Sequence, residues 1–112
     1  MKIRVMFFLI VLASTSTAYA GRVFGNLKEG NRGVAAEVTI TCEGRRPYKG
    51  STSSDADGNY SIFVDAKGRC ELVVEYQGSK TPPYKIFSSA DPTRYDFELI
   101  PDEKWGWRLK RR

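Results

Sequence analysis

The sequence predicts an all-β sandwich of seven strands in one small domain. Three observations predict it. Apolar and polar residues alternate with period two through most of the chain after residue 20. Gly, Pro, Asn and Asp interrupt the alternation at intervals of roughly eight to twelve residues, the spacing of small sandwiches and barrels. No segment after residue 20 places its apolar residues at helical spacing.

The strands follow in order. Val23, Gly25 and Leu27 share one face of the first, with Arg22 and Asn26 opposite, and Glu29 to Gly33 form a turn. Ala36, Val38, Ile40 and Cys42 alternate with Glu37, Thr39 and Thr41 in the clearest strand of the chain, which Glu43 to Pro47 end. Tyr48 to Ser54 is a polar strand suited to a sheet edge. Asp55-Ala56-Asp57-Gly58 is a hairpin turn, in which Gly supplies a positive φ and Asp caps the bend. Tyr60, Ile62 and Val64 form the fourth inward face. Cys70, Leu72, Val74 and Tyr76 form the fifth, with Glu71 and Glu75 turned away. Tyr84 to Ser88 is a short sixth strand whose inward face the pattern leaves open. Tyr95, Phe97 and Leu99 complete the seventh, opposite Arg94, Asp96 and Glu98.

The two ends of the chain read differently from this body. Residues 1–20 have the form of a cleaved secretory leader. Lys2 and Arg4 precede an apolar run from Val5 to Ala13, and Ala18-Tyr19-Ala20 is a small-x-small cleavage site. The apolar run is about half the ~20 residues that a membrane-spanning helix needs. The expected exported product is therefore residues 21–112, periplasmic or secreted, with a sandwich domain over residues 21–100 and no transmembrane segment. Residues 101–112 read as a basic tail. The whole chain carries a net charge of +5, and loss of Lys2 and Arg4 leaves +3. The tail alone holds Lys104, Arg108, Lys110, Arg111 and Arg112 against Asp102 and Glu103. The body before it is then neutral, which argues against a nucleic-acid partner.

Cys42 and Cys70 are the two cysteines. Both fall on inward faces in the register above, and an exported chain meets an oxidising compartment, so a disulfide between them is expected. The competing metal or redox pair lacks a second nearby Cys, and the chain has no His.

Several motifs resemble the carboxypeptidase regulatory-like family, whose fold is a transthyretin-like β-sandwich. They run from about Val23 to Leu99. Val23-Phe24-Gly25 is similar to the family's first strand, and Gly33 to Val38 to its turn and second strand. Ser53-Ser54-Asp55-Ala56-Asp57-Gly58-Asn59-Tyr60 resembles its most recognisable hairpin. Gly68 to Val74 resembles a later strand, with Cys70 in place of the usual aromatic, and Tyr95 to Leu99 the closing one. The Pro82-Pro83 loop and the C-terminal tail depart from the pattern. The resemblance implies a non-catalytic accessory or binding module, in some members one that contacts carbohydrate or protein. Fold alone does not assign the ligand.

The available chemistry agrees with a non-enzyme. Without His, the usual Ser-His-Asp, Cys-His and zinc hydrolase sites are absent. Asp55, Asp57 and Asn59 match the first, third and fifth positions of a calcium loop. Gly58 is fourth rather than sixth, however, and Ala66 stands where the bidentate Glu belongs, so a plain turn and no metal or cofactor are expected. Trp105, Trp107, Arg108, Lys110, Arg111 and Arg112 are the candidate ligand-binding residues. In an extended tail Trp105, Trp107 and Leu109 share one face, and Arg108 and Lys110 the other. Such a tail suits an anionic glycan or glycolipid. The competing arrangement docks both Trp residues on the sandwich as an extra strand. The other partner class is a protein that pairs with an edge strand.

Overall fold

The computed structural model describes residues 21–45 and 47–112. The expected leader and its cleavage site lie outside the described residues. Eleven strands are present among the described residues: β1 (Gly21–Glu29), β2 (Arg32–Gly33), β3 (Glu37–Cys42), β4 (Tyr48–Ser53), β5 (Asn59–Val64), β6 (Gly68–Tyr76), β7 (Ser79–Lys80), β8 (Tyr84–Ser88), β9 (Thr93–Arg94), β10 (Phe97–Asp102) and β11 (Gly106–Arg111). They form two sheets, with one disulfide between β3 and β6 of the same sheet, and the fold is all-β.

Strand β1 organises the first sheet. Along one edge it pairs antiparallel with β5, from Gly21 opposite Val64 to Asn26 opposite Asn59. Along the other it pairs in parallel with β9, Phe24 beside Arg94, and then with β10, Leu27 beside Phe97. Tyr95 and Asp96 interrupt that second partner. Strand β11 adds antiparallel to β10, and β2 folds back on the end of β1. The second sheet runs β4, β3, β6, and the far edge of β6 is shared by β8 and β7.

All seven expected strands are present, and the count of seven is too low for two physical reasons. Strands β2, β7 and β9 are two-residue ladders, shorter than any hydrophobic alternation can reveal. The β6–β7 reversal is a two-residue turn with both central residues at positive φ, Gln77 at 52° and Gly78 at 80°. Strand β11 is the more consequential addition. It turns the expected tail into part of the sheet, so residue 100 is not a boundary of the fold: β10 runs on to Asp102 and pairs with β11 over six residues.

The core confirms the alternation. Val23, Leu27, Val38, Ile40, Ile62, Val64, Leu72, Val74, Phe97 and Leu99 are all buried between the sheets. Cys42 and Cys70 face each other directly across β3 and β6, with Cα atoms 4.2 Å apart, and are bonded. The open question at β8 resolves with Ile86 and Ser88 inward and Phe87 outward. The buried side chains of Ser54, Thr81 and Ser88 have partners, whereas Asn26 Oδ1 has none among the described residues. Ser54 Oγ donates to the Val34 carbonyl at 2.7 Å and accepts from the Ala36 amide at 2.8 Å, and Thr81 Oγ1 accepts from the Val74 amide at 3.0 Å.

Gly25 is required by a close approach. A Cβ there would overlap the carbonyl oxygen of Tyr95, the residue that breaks β9 from β10. That same carbonyl accepts the Tyr60 hydroxyl at 2.6 Å, so a buried side chain of β5 reaches past Gly25 to hold the break in place.

Candidate functional site

The outer face of the first sheet collects cations and aromatic rings from distant parts of the sequence. Period-two alternation turns Arg22 and Phe24 outward from β1 while Val23 and Gly25 point inward. Cross-strand register then places Phe63 of β5 opposite Arg22, and Arg94 of β9 beside Phe24. The guanidinium carbons of Arg22 and Arg94 lie 4.9 and 5.8 Å from the centre of the Phe24 ring. That is cation–π range, and it holds two flexible side chains against one surface. Phe63 is 67% exposed beside them. Arg94 Nε also donates to both oxygens of the Asp96 carboxylate, at 3.1 and 2.9 Å, which anchors the side chain and offsets part of its charge.

Strand β11 extends this face. Lys110 stands across from Glu98, itself beside Lys28, and Arg108 stands across from Ile100. Arg108 comes within 3.8 Å of Asp102, at the end of β10. Arg112 prolongs the ladder, its amide donating to the Asp96 carbonyl at 2.9 Å. The outer face of the second sheet is built differently. There two cross-strand rows, Lys49, Thr41, Glu71, Lys85 and Ser53, Glu37, Glu75, Lys80, mix both signs of charge without an aromatic ring, and an exposed ring, Phe87, stands opposite Arg69 on β6.

The six residues expected to bind a ligand do not form one cluster. Trp107 and Leu109 turn inward against the core, and the rings of Trp107 and Tyr76 lie 5.3 Å apart. Arg108 and Lys110 take the opposite, outward side, as the alternation predicts. Trp105 falls in the β10–β11 turn rather than on the strand. It is 43% exposed, with Lys104 Nζ 5.9 Å from its ring. Arg111 goes to the inner side, where its guanidinium covers the Tyr95 ring at 4.4 Å and donates to the Arg94 carbonyl at 3.1 Å. Arg22, Phe24, Phe63 and Arg94 were not singled out by the sequence. Their alternation was visible, but the strand order that makes them neighbours was not.

Local hydrogen bonds shape the turn. The Asp102 carboxylate accepts the Trp105 amide at 2.9 Å and the Lys104 amide at 2.8 Å. These bonds, first Trp105 and then Lys104, together with nearby Arg108, lower its pKa. At the other hairpin, Asp55 Oδ1 accepts the amides of Asp57 and Asn59, both at 2.9 Å, and Gly58 adopts φ 89°. The carboxylate of the calcium-like pattern is thus used to form the turn. No group of three His, Cys, Asp or Glu side chains among the described residues could hold a metal ion.

Two tyrosines bridge the sheets at their margins. Tyr48 of β4 donates its hydroxyl to the Phe63 carbonyl of β5 at 2.7 Å. The Tyr95 hydroxyl accepts the Phe87 amide of β8 at 2.8 Å. A groove of about 680 Å³ runs along β8, lined by Tyr84, Ile86, Phe87 and Tyr95 and bounded by Arg111 and Arg69. Burial, then the nearby Asp65 charge, raises the pKa of Tyr48. Burial also raises that of Tyr60, with Asp96 and Tyr95 adding to the shift.

No protein-family model matches this chain, and no curated protein matches it.

Proposed function

We propose that this chain is an exported, non-catalytic sandwich of the carboxypeptidase regulatory-like, transthyretin-like kind. It binds an anionic glycan or glycolipid of the cell envelope through the outer face of its first sheet. One observation carries the reading: Arg22 and Arg94 are both held against the Phe24 ring, next to the exposed ring of Phe63. Guanidinium forks suit phosphate and carboxylate groups, and stacking on an aromatic ring limits the freedom they lose on binding. Arg108 and Lys110 widen the attraction along the same face. Export is supported by the leader-like residues 1–20 and by the disulfide, which persists in oxidising compartments. The absence of His and of a free cysteine among the described residues favours binding over catalysis.

Cosedimentation with vesicles tests this reading. Vesicles containing about half anionic lipid should retain the protein at low salt, and zwitterionic vesicles should not. Retention should fall as ionic strength rises, because exposed charges are screened. The double variant Arg22→Glu, Arg94→Glu should lose most of the retention. Equal retention of variant and parent would refute the assignment of this face.

A further inference from the structure

Strands β4, β5 and β11 each have six residues and pair on one side only. On β5 the Phe63 carbonyl is taken by the Tyr48 hydroxyl, and on β8 the Phe87 amide is taken by the Tyr95 hydroxyl. Strands β2, β7 and β9 are two residues long. Strand β4 pairs with β3 alone and has Lys49 as its one charged residue, whereas β11 pairs with β10 alone and carries Arg108, Lys110 and Arg111.

The ladder shows which groups of β11 are free. The Arg112 amide bonds the Asp96 carbonyl, so the residues of this segment that bond β10 are Arg112, Lys110 and Arg108. Pro101 agrees with that phase. It sits opposite Trp107, at a position where its missing N–H costs β11 nothing. The amides and carbonyls of Trp107, Leu109 and Arg111 therefore point away from β10, and none has a partner among the described residues. Three donors and three acceptors at strand spacing form a template for one more strand.

Charge selects what can occupy it. A second copy of β11, added antiparallel about Leu109, would set Arg108 against Lys110 on the outer side, and like charges directly opposite are destabilising. Self-pairing is thereby opposed. A strand with acidic residues at alternate positions would meet Arg108 and Lys110 instead. Its other side chains would turn to the inner side, toward Leu109 and the end of the groove beside Arg111. We propose that β11 is a docking edge for an extended segment of a partner protein in which acidic and apolar residues alternate. The proposal uses the backbone edge and does not depend on binding at Arg22, Phe24, Phe63 and Arg94.

A pair of synthetic peptides tests it with the exported chain. One is an acetylated octapeptide alternating Glu with Val. The other has the same Glu content with Pro in place of Val, so that its charge is kept but it has few amides for pairing. The Glu-Val peptide should bind and slow hydrogen exchange at the Trp107, Leu109 and Arg111 amides at least tenfold near saturation. The Glu-Pro peptide should do neither. The surface variant Arg108→Glu, Lys110→Glu should lose the Glu-Val peptide and accept a Lys-Val one. Arg22→Glu, Arg94→Glu should leave peptide binding unchanged while reducing vesicle binding. Equal binding of both peptides, no binding of either, or protection at amides outside β11 would overturn the proposal. In that outcome the edge cations serve only to discourage aggregation.

Discussion

Trp107 of the last strand packs on Tyr76 of the opposite sheet, with ring centroids 5.3 Å apart and planes tilted by 59°. The contact joins the C-terminal segment to the core from the far side of its pairing with β10. Tyr76 is itself tied to Glu29 by a 3.0 Å hydrogen bond from its hydroxyl. The end of the chain thus closes one side of the sandwich.

Replacing Trp107 should therefore cost stability. Trp107→Ala removes a large, partly buried ring, and a loss of about 2–3 kcal/mol is expected, below the full core value because the ring is not fully enclosed. Truncation after Ile100 should cost more, since it also bares β10. Urea unfolding followed by tryptophan-independent circular dichroism measures both. An unchanged midpoint for the truncated chain would show that the strand does not support the fold.

The disulfide joins directly opposed residues of neighbouring strands, Cys42 on β3 and Cys70 on β6. Replacing both by Ala should lower stability by about 2–5 kcal/mol. Thiol titration of the folded, unreduced protein should find no free thiol. Two titratable thiols would contradict the pairing.

These two outcomes also mark what the sequence could reveal. Cys42 and Cys70 lie on strands whose alternation is unambiguous, so a period-two register was enough to place both inward. Phe87 lies on a five-residue strand where Tyr84, Ile86 and Ser88 compete with Lys85 and Phe87 for the interior, and the pattern could not decide. In residues 101–112 the cluster of cations obscured a strand whose inner side is only Trp107, Leu109 and the stacked Arg111. The cationic face was least legible of all. Arg22, Phe63 and Arg94 are far apart in the chain, and only the pairing of β1 with both β5 and β9 brings them together.

Gly25→Ala should be disruptive despite its small volume. The added methyl meets the backbone carbonyl of Tyr95, which cannot swing away as a side chain tip could. A destabilisation of about 1–3 kcal/mol is expected from overpacking. It should be accompanied by weakening of the Tyr60–Tyr95 hydrogen bond, seen as loss of the downfield Tyr60 hydroxyl proton signal. Retention of both stability and that signal would show that the approach is less tight than described.

Stability should fall on the alkaline side. Burial, reinforced by Asp96 and Tyr95, raises the Tyr60 pKa above the ordinary tyrosine value near 10. The unfolded chain therefore releases this proton first. The contribution is complete below about pH 10 and declines as pH rises above it. Urea midpoints measured from pH 8 to pH 11.5 should drop past pH 10, and Tyr60→Phe should flatten the drop. A midpoint that stays level to pH 11.5 would contradict the assignment.

Nuclear magnetic resonance mapping with anionic vesicles tests the binding face most directly. Vesicle-induced line broadening, followed residue by residue on isotopically labelled residues 21–112, reports which surface meets the vesicle. Broadening should centre on Arg22, Phe24, Phe63 and Arg94, extend to Arg108 and Lys110, and be relieved by added salt. Broadening centred on the second sheet, at residues such as Thr39, Glu71 and Lys85, or none at low salt, would contradict this assignment.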